Sequence, residues 1–138
     1  MTKTLKYLLI DDEEVFNFIH SQIIRLTDEF AEINEVRSSA EALEIIQNTS
    51  ASKENFPDIM FIDINMPEMN GFELLTKLQI ISSTFPKAIE IYIVTSSLFE
   101  SDRIKAKSFS IVSGFIEKPV TNQQVKDIIR KKLHPNFS

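Results

Sequence analysis

A chain of 138 residues with 43% hydrophobic content is the length of one globular domain and can bury a real core, which excludes a disordered chain. It holds no cysteine, which excludes disulfides and thiolate metal sites, and its formal charge of −5 argues against direct nucleic-acid binding. Its two glycines, Gly71 and Gly114, are too few and too far apart for a dinucleotide fingerprint or a phosphate loop, and no apolar run reaches the ~18 residues of a membrane span.

In chain order, the N-terminal "MTKTLKYLL" has too short an apolar run for a signal peptide, so a soluble cytoplasmic protein is expected. Residues 7–10, "YLLI", are apolar on consecutive positions, which suits a strand buried on both faces of a parallel sheet. Val15, Phe18, Ile19, Ile23 and Leu26 follow at helical spacing and predict an apolar helix stripe. The weaker run 33–36 reads as an edge strand. Ser38 and Glu41 have capping-box spacing and open a helix over 40–47. Residues 48–56, "NTSASKENF", are polar without a clear period and read as an extended surface loop. A strand at 59–62 leads to a helix marked by Leu74, Leu75, Leu78 and Ile81. A strand at 89–94 leads to a helix over 101–109. The last strand is a short apolar pair, Phe115 and Ile116. Thr121 and Gln124 then cap a helix carrying Val125, Ile128, Ile129 and Leu133, with Lys131 and Lys132 favouring its C-terminal dipole. The final "HPNFS" reads as a frayed tail. Five strands alternating with five helices predict one domain with an open, doubly wound α/β sheet.

In such a sheet, ligands bind beyond the carboxyl ends of the strands, where strand order reverses. Four acids, Asp11, Asp12, Glu13 and Glu14, follow the first strand, and Asp63 closes the third. Taken alone, "DDEE" fits a solvated loop entering a helix, where acids favour the dipole. The second cluster changes that reading for Asp11 and Asp12, because neighbouring strands would bring three carboxylates together. Such crowding is unfavourable unless a cation is bound or a proton shared. Oxygen ligands without His or Cys suit Mg²⁺ or a similar cation such as Mn²⁺, and a carboxylate beside it is a candidate nucleophile toward phosphorus. Thr95 and Lys118, at the ends of the fourth and fifth strands, supply a hydroxyl and a cation for phosphoryl oxygens.

The motifs "DD", "DINMPEMNG", "VTS" and "EKP", each at a predicted strand end, resemble the receiver domain of bacterial two-component response regulators. The resemblance covers residues 6–133, leaving 134–138 as tail. It implies the flavodoxin-like strand order 2-1-3-4-5. It assigns Asp63 as phosphoacceptor, Asp12 and Asp63 as direct metal ligands, Asp11 as holder of a metal-bound water, and Asn65 as a backbone-carbonyl ligand. It places Lys118, Thr95 and Ser96 at the phosphoryl group and pairs Thr95 with Phe115 as a switch, in which Phe is also an ordinary core residue. It further implies a cis Lys118–Pro119 bond. Met66 and Met69 read as packing residues, while Pro67 and Gly71 shape the loop after Asp63. His20 and His134 read as structural or exposed rather than as phosphodonors.

The implied function is a stand-alone phosphoacceptor, not an enzyme in its own right, served by a sensor histidine kinase or a histidine phosphotransfer protein. Its readout would lie on the face of the fourth helix, fifth strand and fifth helix. Two features depart from the family: the long loop at 48–56, and "SFSIVSG" before the last strand, which blurs the end of the fourth helix. The main alternative is a pseudo-receiver that binds partners without phosphorylation. An aspartyl-phosphate phosphatase would want an acid where Asn65 stands, and a flavin phosphate would be repelled by the acids after the first strand. Lys126, Arg130, Lys131 and Lys132 read as a solvated face, with a partner surface as the other reading.

Overall fold

The structure is a computed structural model and describes residues 4–134. In chain order it contains β1 (Lys6–Ile10), α1 (Glu14–Thr27), β2 (Glu32–Val36), α2 (Ser39–Thr49), β3 (Ile59–Ile62), α3 (Gly71–Ile81), a 3₁₀ turn (Ser82–Thr84), β4 (Glu90–Thr95), α4 (Glu100–Lys107), β5 (Val112–Glu117) and α5 (Asn122–Leu133). All strand pairs are parallel and the order is β2-β1-β3-β4-β5, as expected. The central strands are buried on both faces because their apolar residues alternate between two cores. Leu8, Ile10, Met60 and Ile62 join Leu74 and Leu78 of α3 on one side. Leu9, Phe61 and Val94 join Ile24 of α1 and Val125 and Ile128 of α5 on the other. The edge strand β2 is mostly polar, which leaves little exposed apolar edge for pairing with another chain.

Several expectations are corrected in detail. The first helix forms where predicted, but its apolar stripe is only partly right: Ile23 packs against the core, whereas Val15, Phe18 and Leu26 are exposed, and the buried residues are Asn17, His20, Ser21 and Ile24. Residues 48 and 49 belong to α2, and Phe56 is fully buried against Phe85, so the 48–56 stretch is only partly a surface loop. The fourth helix ends at Lys107, and Phe109 beyond it stacks on Phe72. The fifth strand is longer than its apolar pair. A register shift opposite Ile91 and Tyr92 accommodates Ser113, and Gly114 lies so close to the Tyr92 ring that a Cβ there would sit 2.9 Å from it. The Ser38 cap is only half of a box: Ser38 Oγ accepts from Glu41 N–H, while the Glu41 carboxylate accepts from Arg37 N–H. The Thr121–Gln124 box is complete, and a third, unpredicted box pairs Asn70 with Glu73. His134 caps α5, whereas tail residues 135–138 lie outside the described residues.

Candidate functional site

The ladder between β1 and its neighbours continues into the acids themselves. Asp11 N–H donates to Val36 O (3.1 Å) and Asp63 N–H to Ile10 O (3.0 Å), so both aspartates project from backbone held by the sheet. Asp11 Oδ1 also accepts Glu13 N–H (2.9 Å), fixing the turn into α1. From α1 the buried Asn17 amide donates to Asp11 O (3.2 Å) and Val36 O (3.0 Å), tying down the same strand end. On the far side, Gly71 N–H donates to Ile64 O (2.8 Å). A Cβ at Gly71 would lie 2.4 Å from Asp63 O, so only glycine lets α3 approach the acid loop this closely.

Carboxylate oxygens of Asp11, Asp12 and Asp63 all lie within 4.8 Å of one another. Lys118 reaches them from the end of β5, where its N–H donates to Thr95 O (2.9 Å). Its ammonium group is 2.6 Å from Asp11 Oδ2 and 3.4 Å from Asp63 Oδ1, and its side chain is only 2% exposed. One buried cation therefore pairs with two members of a cluster of three carboxylates. The residual negative charge shows in Asp63, whose pKa is pushed up to about 6 by burial and then by Asp11, against the opposing pull of Lys118. A site with this donor set and excess charge fits a hard divalent cation.

Thr95 is fully buried, and its hydroxyl accepts Ser97 N–H (3.1 Å). Ser96 and Asn65 are exposed at the same end of the sheet. Phe115 is half-buried against the α3 side of the core, with the Arg103 guanidinium 4.8 Å from its ring centroid. Met66 and Met69 pack on that core as expected. The Lys118–Pro119 bond is cis. Gly71 serves close approach rather than a positive φ, which falls instead on Glu68. His20 is buried, and its Nε2 accepts Val120 N–H (3.2 Å); burial, then Lys118, lowers its pKa to about 4. Two residues at the site were not singled out from sequence: Asn17, and Phe16, whose ring lies under the Lys118 ammonium at 4.3 Å. The signal available was position alone, because both sit in the first turn of the helix that follows the acids. A cavity of about 490 Å³ is elsewhere. It lies at the amino ends of the strands, where Lys6 pairs with Glu32 and Lys87 with Asp58, and the local charges are largely matched.

A doubly wound sheet that gathers three acids, a buried lysine and a buried threonine hydroxyl at its carboxyl end is an open α/β fold with a candidate site for a cation and an anionic group. The response regulator receiver domain model matches residues 7–130, and the chain belongs to that family, whose setting is two-component signalling. It is 29% identical to chemotaxis protein CheY1 of Helicobacter pylori, covering 96% of this chain and 99% of that protein. It is 29% identical to chemotaxis protein CheY of Halobacterium salinarum, over 91% and 94%. A hybrid signal transduction histidine kinase L of Dictyostelium discoideum is 30% identical over 91% of this chain, which spans only 7% of that protein. Several other relatives are longer too, with the chain spanning 35% of a protein-glutamate methylesterase/protein-glutamine glutaminase from Pyrococcus horikoshii. Among solved structures, a two-component response regulator from Cytophaga hutchinsonii superposes with a TM-score of 0.86 at 32% identity, covering 96% of this chain and 98% of that one. Among the described residues, no helix is long and apolar enough to cross a membrane.

Proposed function

We propose that the chain is a stand-alone, cytoplasmic receiver, a single domain with its core over residues 6–133, that accepts a phosphoryl group on Asp63. The donor would be a phosphohistidine on a sensor histidine kinase or a histidine phosphotransfer protein. The observation that carries this reading is the convergence of Asp11, Asp12 and Asp63 within 4.8 Å around the buried Lys118. Coverage of nearly the full length of two chemotaxis proteins supports the single-domain form.

In the transfer, an Asp63 carboxylate oxygen bonds to phosphorus as the bond from phosphorus to the histidine nitrogen breaks. The imidazole leaves and regains a proton from solvent or its own protein. Before a cation is bound, burial and Asp11 raise the Asp63 pKa to about 6, so at neutral pH its carboxylate is ionised and can attack phosphorus. Lys118 faces the oxygens that gain charge, and its amine is held by Asp11 before the reaction begins. Asp11, Asp12, Asp63 and the Asn65 carbonyl would hold Mg²⁺ or Mn²⁺, which when bound neutralises the crowded oxygens. Thr95 and Ser96 then hydrogen-bond the new phosphoryl group. Movement of the Thr95 hydroxyl frees space beside the half-buried Phe115, changing the α4-β5-α5 surface that an output partner reads.

The test is intact mass after incubation with acetyl phosphate, with and without Mg²⁺, on the wild type and Asp63→Ala. A Mg²⁺-dependent gain of one phosphoryl group, absent in the variant, is the expected result. No gain even with a phosphorylated histidine phosphotransfer protein, in a time course fast enough to catch a short-lived product, would favour the pseudo-receiver.

A further inference from the structure

Resting on the reading above, we propose that Phe16 is a positioning residue for the phosphoryl-binding amine, holding Lys118 over the carboxylates through the face of its ring. A lysine ammonium that is almost completely buried needs more than one partner. Lys118 has the Asp11 carboxylate at 2.6 Å and Asp63 at 3.4 Å. The Phe16 ring is a further partner, its centroid 4.3 Å from Nζ, well inside cation–π range. The negative face of the ring attracts the cation electrostatically and, unlike a further carboxylate, does not repel phosphoryl oxygens.

The ring is itself held in place. Phe16 and His20 stand one turn apart on α1, so both face the turn that follows β5. Their rings lie 6.0 Å apart, and His20 meets Phe61 edge-on at 6.2 Å. His20 Nε2 accepts Val120 N–H, two residues beyond Lys118, so the same helix grips the turn on both sides of Pro119. One turn of α1 therefore sets the height of the Lys118 amine, and Asn17 on that turn pins the strand end bearing Asp11. Phe16 is only half-buried, so replacing it leaves the core intact.

The experiment compares wild type, Phe16→Leu and Phe16→Tyr in the full chain, with folding checked by circular dichroism. Leucine keeps apolar bulk but loses the ring face; tyrosine keeps the face. Two readouts are taken: the reactivity of Lys118 toward an amine-acylating reagent, by peptide mass spectrometry, and the rate of phosphoryl acceptance from acetyl phosphate in Mg²⁺. We expect Phe16→Leu to raise Lys118 labelling and lower the acceptance rate, each about three- to tenfold, with Phe16→Tyr within about twofold of wild type. Leucine behaving as wild type in either readout, or tyrosine behaving as leucine, overturns the proposal. If the wild type itself accepts no phosphoryl group, the reading of the site has failed, and labelling alone decides whether Phe16 positions the amine.

Discussion

Strand β3 is bracketed by two buried aspartates, Asp58 just before it and Asp63 just after, and their surroundings are opposite. Asp58 accepts Lys6 N–H at 2.9 Å and pairs with Lys87 at 2.9 Å, in a region where positive and negative side chains are matched. Asp63 shares one lysine with Asp11 and faces Asp12 as well. The same residue type on the same strand is thus a structural anchor at one end and an undercompensated charge at the other. Burial alone does not single out a candidate functional acid; the imbalance of charge around it does.

The largest effect should come from removing Asp63. Asp63→Asn is expected to abolish phosphoryl acceptance while leaving the fold intact and, at pH 7 without divalent cation, more stable by about 1–3 kcal/mol, since an ionised, crowded carboxylate is gone. Urea unfolding checks the sign. A variant less stable than wild type would mean that Asp63 anchors the fold as Asp58 does. Asp58→Ala should behave the other way, losing roughly 2–4 kcal/mol because the Lys6 amide and the Lys87 amine lose their shared partner, while the folded fraction still accepts phosphate. A near-neutral Asp58→Ala would erase the contrast between the two ends. Gly71→Ala is intermediate. Its Cβ would meet the Asp63 carbonyl at 2.4 Å, so the acid loop or α3 must shift, with a loss of about 1–3 kcal/mol and slower acceptance. A variant with wild-type stability and rate would show that this approach is not needed to place Asp63.

The two ends were not equally legible in the sequence. The carboxyl end was readable because strand-end acids, a threonine and a lysine recur in order, and the topology of a doubly wound sheet brings such ends together. The amino end carried no comparable signal, since Asp58 and Lys87 are far apart in sequence and their pairing exists only in the fold. Helix α1 shows a different failure. Its apolar residues Val15, Phe18 and Leu26 suggested a core-facing stripe, yet they face solvent. The face turned inward carries Asn17, His20 and Ser21, because each finds a hydrogen-bond partner: strand-end carbonyls for Asn17, Val120 N–H for His20 and the Glu35 carboxylate for Ser21. Periodicity counts apolar residues but cannot count partners, so a polar inner face is invisible to it. The length of β5 was missed for a related reason: Ser113 and Gly114 break the apolar run, but one fits a register shift and the other makes room for Tyr92.

The smallest expected effect is a near-cancellation at the carboxyl end of the sheet, in the absence of divalent cation. His20 titrates at about 4 in the folded chain against an ordinary value of 6.5, so between those values the unfolded chain binds the extra proton. The contribution of His20 is therefore present above pH 6.5 and is lost as pH falls toward 4. Asp63 titrates at about 6 against 3.8, so between those values the folded chain binds the extra proton. Its contribution has the opposite sign, greatest below pH 3.8 and lost as pH rises through 6. Over the shared window, about pH 4 to 6, the two slopes oppose each other, and the site adds little net pH dependence to wild-type stability. Asp63→Asn removes one of them. Its stability relative to wild type should therefore climb with pH across that window, by roughly 1 kcal/mol per pH unit, the limit for one proton being about 1.4. Urea midpoints of both proteins at pH 4.5, 5.0, 5.5 and 6.0 measure the difference directly. Parallel curves would mean that Asp63 carries no excess charge, and with it would go the physical distinction between the two aspartates of β3.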